Sequence, residues 1–380
     1  MASLSEKVRK RKLGLIINPI AGIGGRVGLK GSDGAAIQRQ ALALGAEREA
    51  EIRTAEALER LAPLKEALEL ITYPGEMGEE IARAFGWAPT VIGSIQPGKT
   101  TAEDTARAAA DMLERGADLL LFAGGDGTAR DICGAVGENV PVLGIPAGVK
   151  IHSAVFGASP ASAGDLAFGF LQGGVRGLQA AEVMDIDEDA YRRGEVAARL
   201  HGYLRIPYRR ALLQGAKSAS PPGETASLRG IAAEVIAQMK AGWHYVLGPG
   251  TTTRAITDRL GLEKTLLGVD VVQDGRLVAA DVNEAGLLGL VGHYGAQIVV
   301  TPIGGQGYLF GRGNQQISWR VIVRVGPENI LAVSTPGKIQ SLSGRPLWVD
   351  TGNQSVDESL SGYIKVVTGF REGIVYRVVC

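Results

Sequence analysis

The densest chemistry in the chain lies at Gly124-Gly125-Asp126-Gly127-Thr128, which ends the apolar run Leu119-Leu120-Leu121-Phe122-Ala123. The run is short, bulky and unbroken, as expected of a strand buried on both faces of a parallel sheet. Three glycines within four positions let the backbone turn sharply and come close to a ligand without Cβ obstruction. The N–H groups of such a turn, and of the helix it opens, form an anion site. Asp126 stands where the carboxyl end of the strand would deliver it into the ligand crevice of an α/β sheet. A carboxylate beside a phosphate cradle makes sense if it organises Mg²⁺ or takes a proton from an attacking hydroxyl. The plainer reading is a tight strand-to-helix turn with a capping Asp, although such a turn needs fewer glycines.

Other residues of the right type fall at comparable points. The apolar residues 13–17 run into Asn18-Pro19-Ile20-Ala21-Gly22-Ile23-Gly24-Gly25, a second glycine-rich turn. Parallel strands would place both turns at the same sheet edge. Lys150 and His152 follow the strand-like run at 140–145 and could meet a phosphate or a substrate hydroxyl, or be a solvent-facing Lys and a satisfied His. Gly248-Pro249-Gly250-Thr251-Thr252-Thr253 follows a strand-like segment and opens a helix, which again suits a phosphate. Thr100-Thr101 precedes a helix whose first residues carry capping side chains.

These residues need elements to hold them. Residues 35–70 are rich in helix formers, with a strand at 68–72. Helix 76–85, strand 89–92 and a helix ending at Gly116 lead into the central strand. Alternation over 182–190 and 195–208, around Arg192-Arg193-Gly194, predicts a β-hairpin. After a loop at 214–224, a helix with Leu228, Ile231, Val235 and Met239 on one face begins a second α/β stretch. Its strands are expected at 243–247, 266–272, 297–302 and 329–334. The tail reads as strands at 346–350, 363–367 and 373–379. The fold class is therefore α/β: an N-terminal Rossmann-like parallel sheet domain over 1–160, and a C-terminal β-rich domain over 161–380. In that second domain the hairpin and tail would be interrupted by an α/β insertion at 224–340.

Bulk composition narrows the function. Forty basic residues balance forty acidic ones and aromatics make up 5%, so neither a nucleic-acid surface nor base-stacking platforms are expected. No stretch approaches the length of a membrane span, and no basic amphipathic anchor is evident. Two cysteines, Cys133 and Cys380, suit a reducing cytoplasm. The four histidines have no metal-ligand spacing.

Gly-Gly-Asp-Gly-Thr after a buried strand resembles the signature shared by ATP-NAD kinases and by the diacylglycerol and sphingoid lipid kinases. More distantly it resembles phosphofructokinases. Asn18-Pro19 with its glycine loop is similar to the opening nucleotide-contacting loop of such kinases, and Thr101 to a threonine near their nucleotide phosphates. Asn283-Glu284 resembles the Asn-Glu pair with which ATP-NAD kinases hold ribose and amide. Thr301-Pro302-Ile303-Gly304-Gly305-Gln306-Gly307 resembles their Thr-Pro-Thr-Gly-Ser-Thr-Ala loop, with Gly305 and Gln306 in place of Ser-Thr. Ile145-Pro146-Ala147-Gly148 follows the lipid-kinase pattern up to residue 148 and departs from it afterwards.

The resemblance implies an ATP-dependent phosphotransferase of a long ATP-NAD kinase subgroup, acting on a small soluble acceptor, NAD. ATP phosphates would lie against Gly124, Gly125, Gly127 and Thr128, helped by Asn18, Gly22, Gly24, Gly25 and Thr101. Asp126 would activate the acceptor hydroxyl or organise Mg²⁺. The acceptor would meet Lys150, His152, Thr251, Thr252, Asn283, Glu284, Thr301, Gly304 and Gly305. The distal loops at 248–253 and 301–307 are expected to face 124–128 across an interdomain cleft. A lipid kinase and a nucleotide-binding sensor without turnover stay open as alternatives, as does assembly into a homo-oligomer.

Overall fold

The structure is a computed structural model that describes residues 10–29, 35–148, 151–175, 177–186, 198–208, 224–265, 267–292, 295–303 and 306–380. Lys150, Gly304, Gly305, the Arg192-Arg193-Gly194 turn and residues 214–223 lie outside them.

Short apolar runs build the first sheet. Strands β1 (Arg11–Ile17), β2 (Leu68–Thr72), β3 (Thr90–Val91), β4 (Leu119–Gly124) and β5 (Val142–Pro146) are all parallel, in the order β3-β2-β1-β4-β5. Between and after them come α1 (Ala35–Ala43), α2 (Glu49–Leu61), α3 (Glu79–Ala84), α4 (Ala102–Glu114), α5 (Asp126–Val136) and α6 (Pro160–Leu171). On one face α2 and α6 pack Leu58 and Leu166 against Leu13 and Leu121; on the other α4 and α5 pack Met112 and Ile132 against Ile16 and Phe122. Cover on both faces explains why β4 is buried along its whole length. The strand order reverses between β1 and β4. The chain leaving each turns to opposite sides, which opens a crevice at their carboxyl ends. Asn18 and Asp126 stand at that switch point.

Strands β6 (Leu178–Ile186) and β7 (Ala198–Pro207) pair antiparallel, as the alternating pattern predicts. Their partner differs from expectation. Ala181, Val183, Leu204 and Ile206 are buried in the same cluster as Ile132 and Phe156 of the first domain. The hairpin is thus bound to α5 and β5, and not to the tail.

The tail instead completes a nine-stranded mixed sheet, β10-β9-β8-β11-β13-β15-β16-β14-β12. Its members are β8 (His244–Leu247), β9 (Asp270–Gln273), β10 (Arg276–Ala279), β11 (Ala296–Val300), β12 (Tyr308–Phe310), β13 (Ile330–Val333), β14 (Leu347–Val349), β15 (Gly362–Gly369) and β16 (Glu372–Val379). Residues 224–340 are therefore continuous with the tail in one sheet, and are not inserted between two parts of a separate β unit. The reason is register: Ala332 and Val333 of β13 pair in parallel with Val366 and Val367 of β15. The β9–β10 hairpin turns on Asp274-Gly275, both at positive φ (48° and 72°), a turn signal that the reading of a single strand at 266–272 left unused.

Candidate active site

Asp126 is the first residue of α5, projected from the end of β4. Its carboxylate is held from the far side of the crevice. Oδ2 accepts the His152 backbone N–H at 2.8 Å and Oδ1 accepts the Ser153 N–H at 2.9 Å. The His152 ring Nδ1 lies 3.3 Å from Oδ2, and both side chains are about nine-tenths buried, at 8% and 11% exposure. The 151–153 loop is fixed in turn by β6: Met184 N donates to Ser153 Oγ at 2.9 Å and Ala154 N to Glu182 O at 2.8 Å. Asp126 is a positioned carboxylate beside an imidazole, within reach of a proton to be moved.

The glycines around it divide by role. A Cβ on Gly124 would sit 2.4 Å from Thr128 Oγ1, and one on Gly125 would sit 3.2 Å from Gly148 Cα. Both are glycine because Thr128 folds back over the strand end and the 146–148 segment crosses close by. Gly127 differs, for its Cβ would meet nothing within 4 Å. Packing accounts for two glycines of the motif, and only Gly127 leaves open space for a ligand at the head of the helix. Thr128 is buried, and its Oγ1 accepts from Asn18 Nδ2 at 2.9 Å. That bond ties the turn after β1 to the turn after β4. Gly22, at φ 80°, lies where a Cβ would be 2.1 Å from Ala147 O, so the β1 turn closes against the β5 turn. Gly24 lies in the same turn, its carbonyl accepting from Leu29 N at 2.9 Å.

Thr101 is the N-cap of α4, in a reciprocal capping box with Asp104. Its hydroxyl does the local work of a helix cap.

The second domain reaches the crevice at two of the expected places. Gln306 Nε2 donates to Ile151 O, directly beside the loop that holds Asp126. Asn283 caps the helix Glu284–Leu290, its Cβ 3.4 Å from where a Gly28 Cβ would lie, and Glu284 N donates to Arg26 O at 3.2 Å. The Glu284 carboxylate accepts from Ser318 Oγ and pairs with Arg320 at 3.7 Å. The Thr251–Thr253 segment lies at another spot on the second sheet. There Lys338 Nζ donates to Thr252 Oγ1 at 2.9 Å and reaches Thr301 Oγ1 at 3.5 Å, while Thr251 is exposed. Thr301 thus joins the two distal loops, and Gln306 bonds one of them to the loop that holds Asp126.

Several residues were silent in the sequence. Arg53 of α2 forms a buried ion pair with Asp350, which follows β14, and Arg312 Nε lies 3.9 Å from the same carboxylate. Arg26 pairs with Glu49 at 3.0 Å. Burial opposes the Arg53 charge, but Asp350 and Glu49 outweigh it and hold the guanidinium protonated. Burial, reinforced by the Asp350 charge, pushes the nearby Glu56 carboxyl up to about 7. Isolated arginines and acids tens to hundreds of residues apart carry no spacing signal. Ser153 and Gln306 likewise act through position alone.

Family models match both halves of this arrangement. The ATP-NAD kinase N-terminal domain matches residues 13–175 and the ATP-NAD kinase C-terminal domain residues 242–378. The chain belongs to the ATP-NAD kinase family. No curated protein matches it. Among solved structures, one described as a diacylglycerol kinase from Bacillus anthracis str. Sterne aligns at 13% identity over 47% of this chain and 46% of its own, with a TM-score of 0.26. This chain thus spans under half the length of that structure. A UDP-N-acetylglucosamine 2-epimerase aligns at 11% identity over 93% and 72% of the two chains, with a TM-score of 0.23. The chain has the parallel-sheet N-terminal domain and mixed-sheet C-terminal domain that these two family models describe. No helix among the described residues is long and apolar enough to cross a membrane.

Proposed function

We propose that this ATP-NAD kinase family member transfers the terminal phosphoryl group of ATP to a hydroxyl of a soluble small molecule, NAD, giving NADP. The observation that carries the reading is Asp126. It sits at the head of a helix at the sheet's switch point, fixed by two backbone N–H groups, with the second domain docked on the loop that supplies them. The donor phosphates lie against Gly127 and the first N–H groups of α5, where backbone donors and open space coincide. Asp126 takes the proton of the acceptor hydroxyl as its oxygen attacks the γ-phosphorus. The bond from that phosphorus to the bridging oxygen breaks, and ADP leaves with the electron pair. His152, at 3.3 Å, orients the carboxylate. Asn283 and Glu284, against the turn after β1, hold the acceptor's ribose side.

Among the described residues no group of three His, Cys, Asp or Glu could cage a metal. Mg²⁺ would arrive on the donor phosphates, keeping several waters and needing few protein ligands, which leaves the Asp126 carboxylate to the acceptor proton. When bound it supplies charge neutralisation on the phosphates.

The test is a screen of purified full-length protein with γ-labelled ATP against NAD, nucleosides, sugars and diacylglycerol. Label is expected in NADP. Label in diacylglycerol instead, or in no acceptor, would overturn the reading.

A further inference from the structure

A narrow cavity opens between the two domains beside the Pro146–Gly148 segment. The turn after β1 forms one wall, with Gly22, Gly25 and Arg26; the segment 311–318 and Asp350 form the other. Three arginines line it, Arg26, Arg53 and Arg312, against two carboxylates, Glu49 and Asp350. The carboxylates are committed to two of the arginines. Arg26 pairs with Glu49, and Arg53 pairs with Asp350. Arg312 is the most loosely paired of the three, reaching Asp350 only through Nε at 3.9 Å.

It is 3% exposed, its Nε is 3.9 Å from Asp350, and its guanidinium lies 4.7 Å above the Tyr308 ring. Neither of its terminal nitrogens has a hydrogen-bond partner among the described residues. A buried guanidinium edge without acceptors is costly, because water has been removed and nothing replaces it. A planar fork of two N–H donors is the shape that meets two oxygens of one anion. The glycine backbone of the opposite wall leaves that anion unobstructed.

We propose that this cavity is an anion subsite that takes one phosphoryl group, held bidentately by Arg312 with Arg26 beside it. The enclosed space is too small for a nucleoside, so the ligand enters by a phosphate at its end or bend. The site itself does not depend on turnover. Only the naming of what carries the phosphate, the donor or a phosphate-bearing acceptor such as a dinucleotide, rests on the kinase reading.

Crystals of the full chain soaked in tungstate should show an anomalous peak within hydrogen-bonding distance of the Arg312 terminal nitrogens. Calorimetry with inorganic phosphate should give binding that weakens about tenfold or more in Arg312→Gln, the loss expected for charge-assisted hydrogen bonds. Arg312→Lys should not restore it, since a point charge lacks the fork. Displacement of phosphate by ADP assigns the subsite to the donor, by NAD to the acceptor, and by neither to free phosphate. A soak with no peak in the cavity, or unchanged phosphate affinity in a folded Arg312→Gln protein, overturns the proposal. Where the variant fails to fold, the tungstate soak decides. Phosphate binding is read without catalysis, so phosphate bound at Arg312 by a protein that labels no acceptor would sink the kinase reading and leave the subsite standing.

Discussion

At the scale of single residues, the Gly-Gly-Asp-Gly-Thr motif is less uniform than its letters suggest. Gly124 and Gly125 are glycine for packing, since a Cβ would strike Thr128 or crowd Gly148. Gly127 has no such reason. Gly127→Ala should therefore fold at least as well as wild type, because Ala is favoured over Gly in a helix by about 1 kcal/mol. Its apparent KM for ATP should nevertheless rise severalfold, since the methyl enters the space given to phosphate. Melting curves and steady-state kinetics on one preparation test both halves, and an unchanged KM would remove Gly127 from the phosphate cradle. Glu56 offers a pH test. Burial raises its pKa from the usual 4.5 to about 7. The folded state then holds that proton more tightly than the unfolded chain. The stability it contributes is full below about pH 4.5 and is lost as pH rises through 7. Melting temperature should decline across that interval, and Glu56→Gln should flatten part of the decline. A slope that survives intact in the variant would assign the effect to other groups, such as Asp357, which burial raises to about 6.

At the scale of elements, legibility followed locality. Every strand of the first sheet could be read, because a buried parallel strand is a run of apolar residues ending in a turn, and β4 is nothing else. The β6–β7 hairpin announced itself by alternation. What it packs against did not, since alternation shows that one face is buried without saying under what. Hence the hairpin was expected beside the tail but lies on α5 and β5, where Val183 and Leu204 fill the space next to Phe156. The short pieces β10 and β12, four and three residues long, fell below what periodicity resolves. The site divides in the same way. Asp126, Asn18 and Thr128 lie at strand ends with turn chemistry and could be found. Ser153 and Gln306 serve through a backbone N–H and one long-range amide, which no local pattern encodes. Thr101 shows the converse, a legible motif whose structural use is a capping box. Gly22 supplies a test at this scale. It combines φ 80° with a Cβ position 2.1 Å from Ala147 O. Gly22→Ala should strain the turn and push it off the β5 loop, lowering stability by roughly 1–3 kcal/mol as for other forced backbone conformations. Urea titration checks this, and a midpoint equal to wild type would mean that the turn does not need its glycine.

At the scale of the whole molecule, the two domains meet through buried charge and through the loops around Asp126. The Arg53–Asp350 pair is 8% and 6% exposed in its side chains. Removing one partner of such a pair typically costs about 3–5 kcal/mol, because the other is left charged in a dry site. Asp350→Ala should thus lower the unfolding midpoint markedly, while replacing both residues by apolar ones should recover much of the loss. Equal midpoints for wild type and Asp350→Ala would show that the pair does not join the domains. The second domain also meets the first through Gln306 to Ile151 and Glu284 to Arg26. The central claim is that a carboxylate held in that cleft drives phosphoryl transfer to NAD. It is tested most directly by the rate of label transfer from γ-labelled ATP to NAD in wild type and in Asp126→Asn, with ATP binding measured alongside. The account predicts labelled NADP from wild type and a rate lower by ~10²–10⁴-fold in the folded variant, with ATP affinity little changed. Transfer at the wild-type rate by a folded Asp126→Asn protein would contradict it.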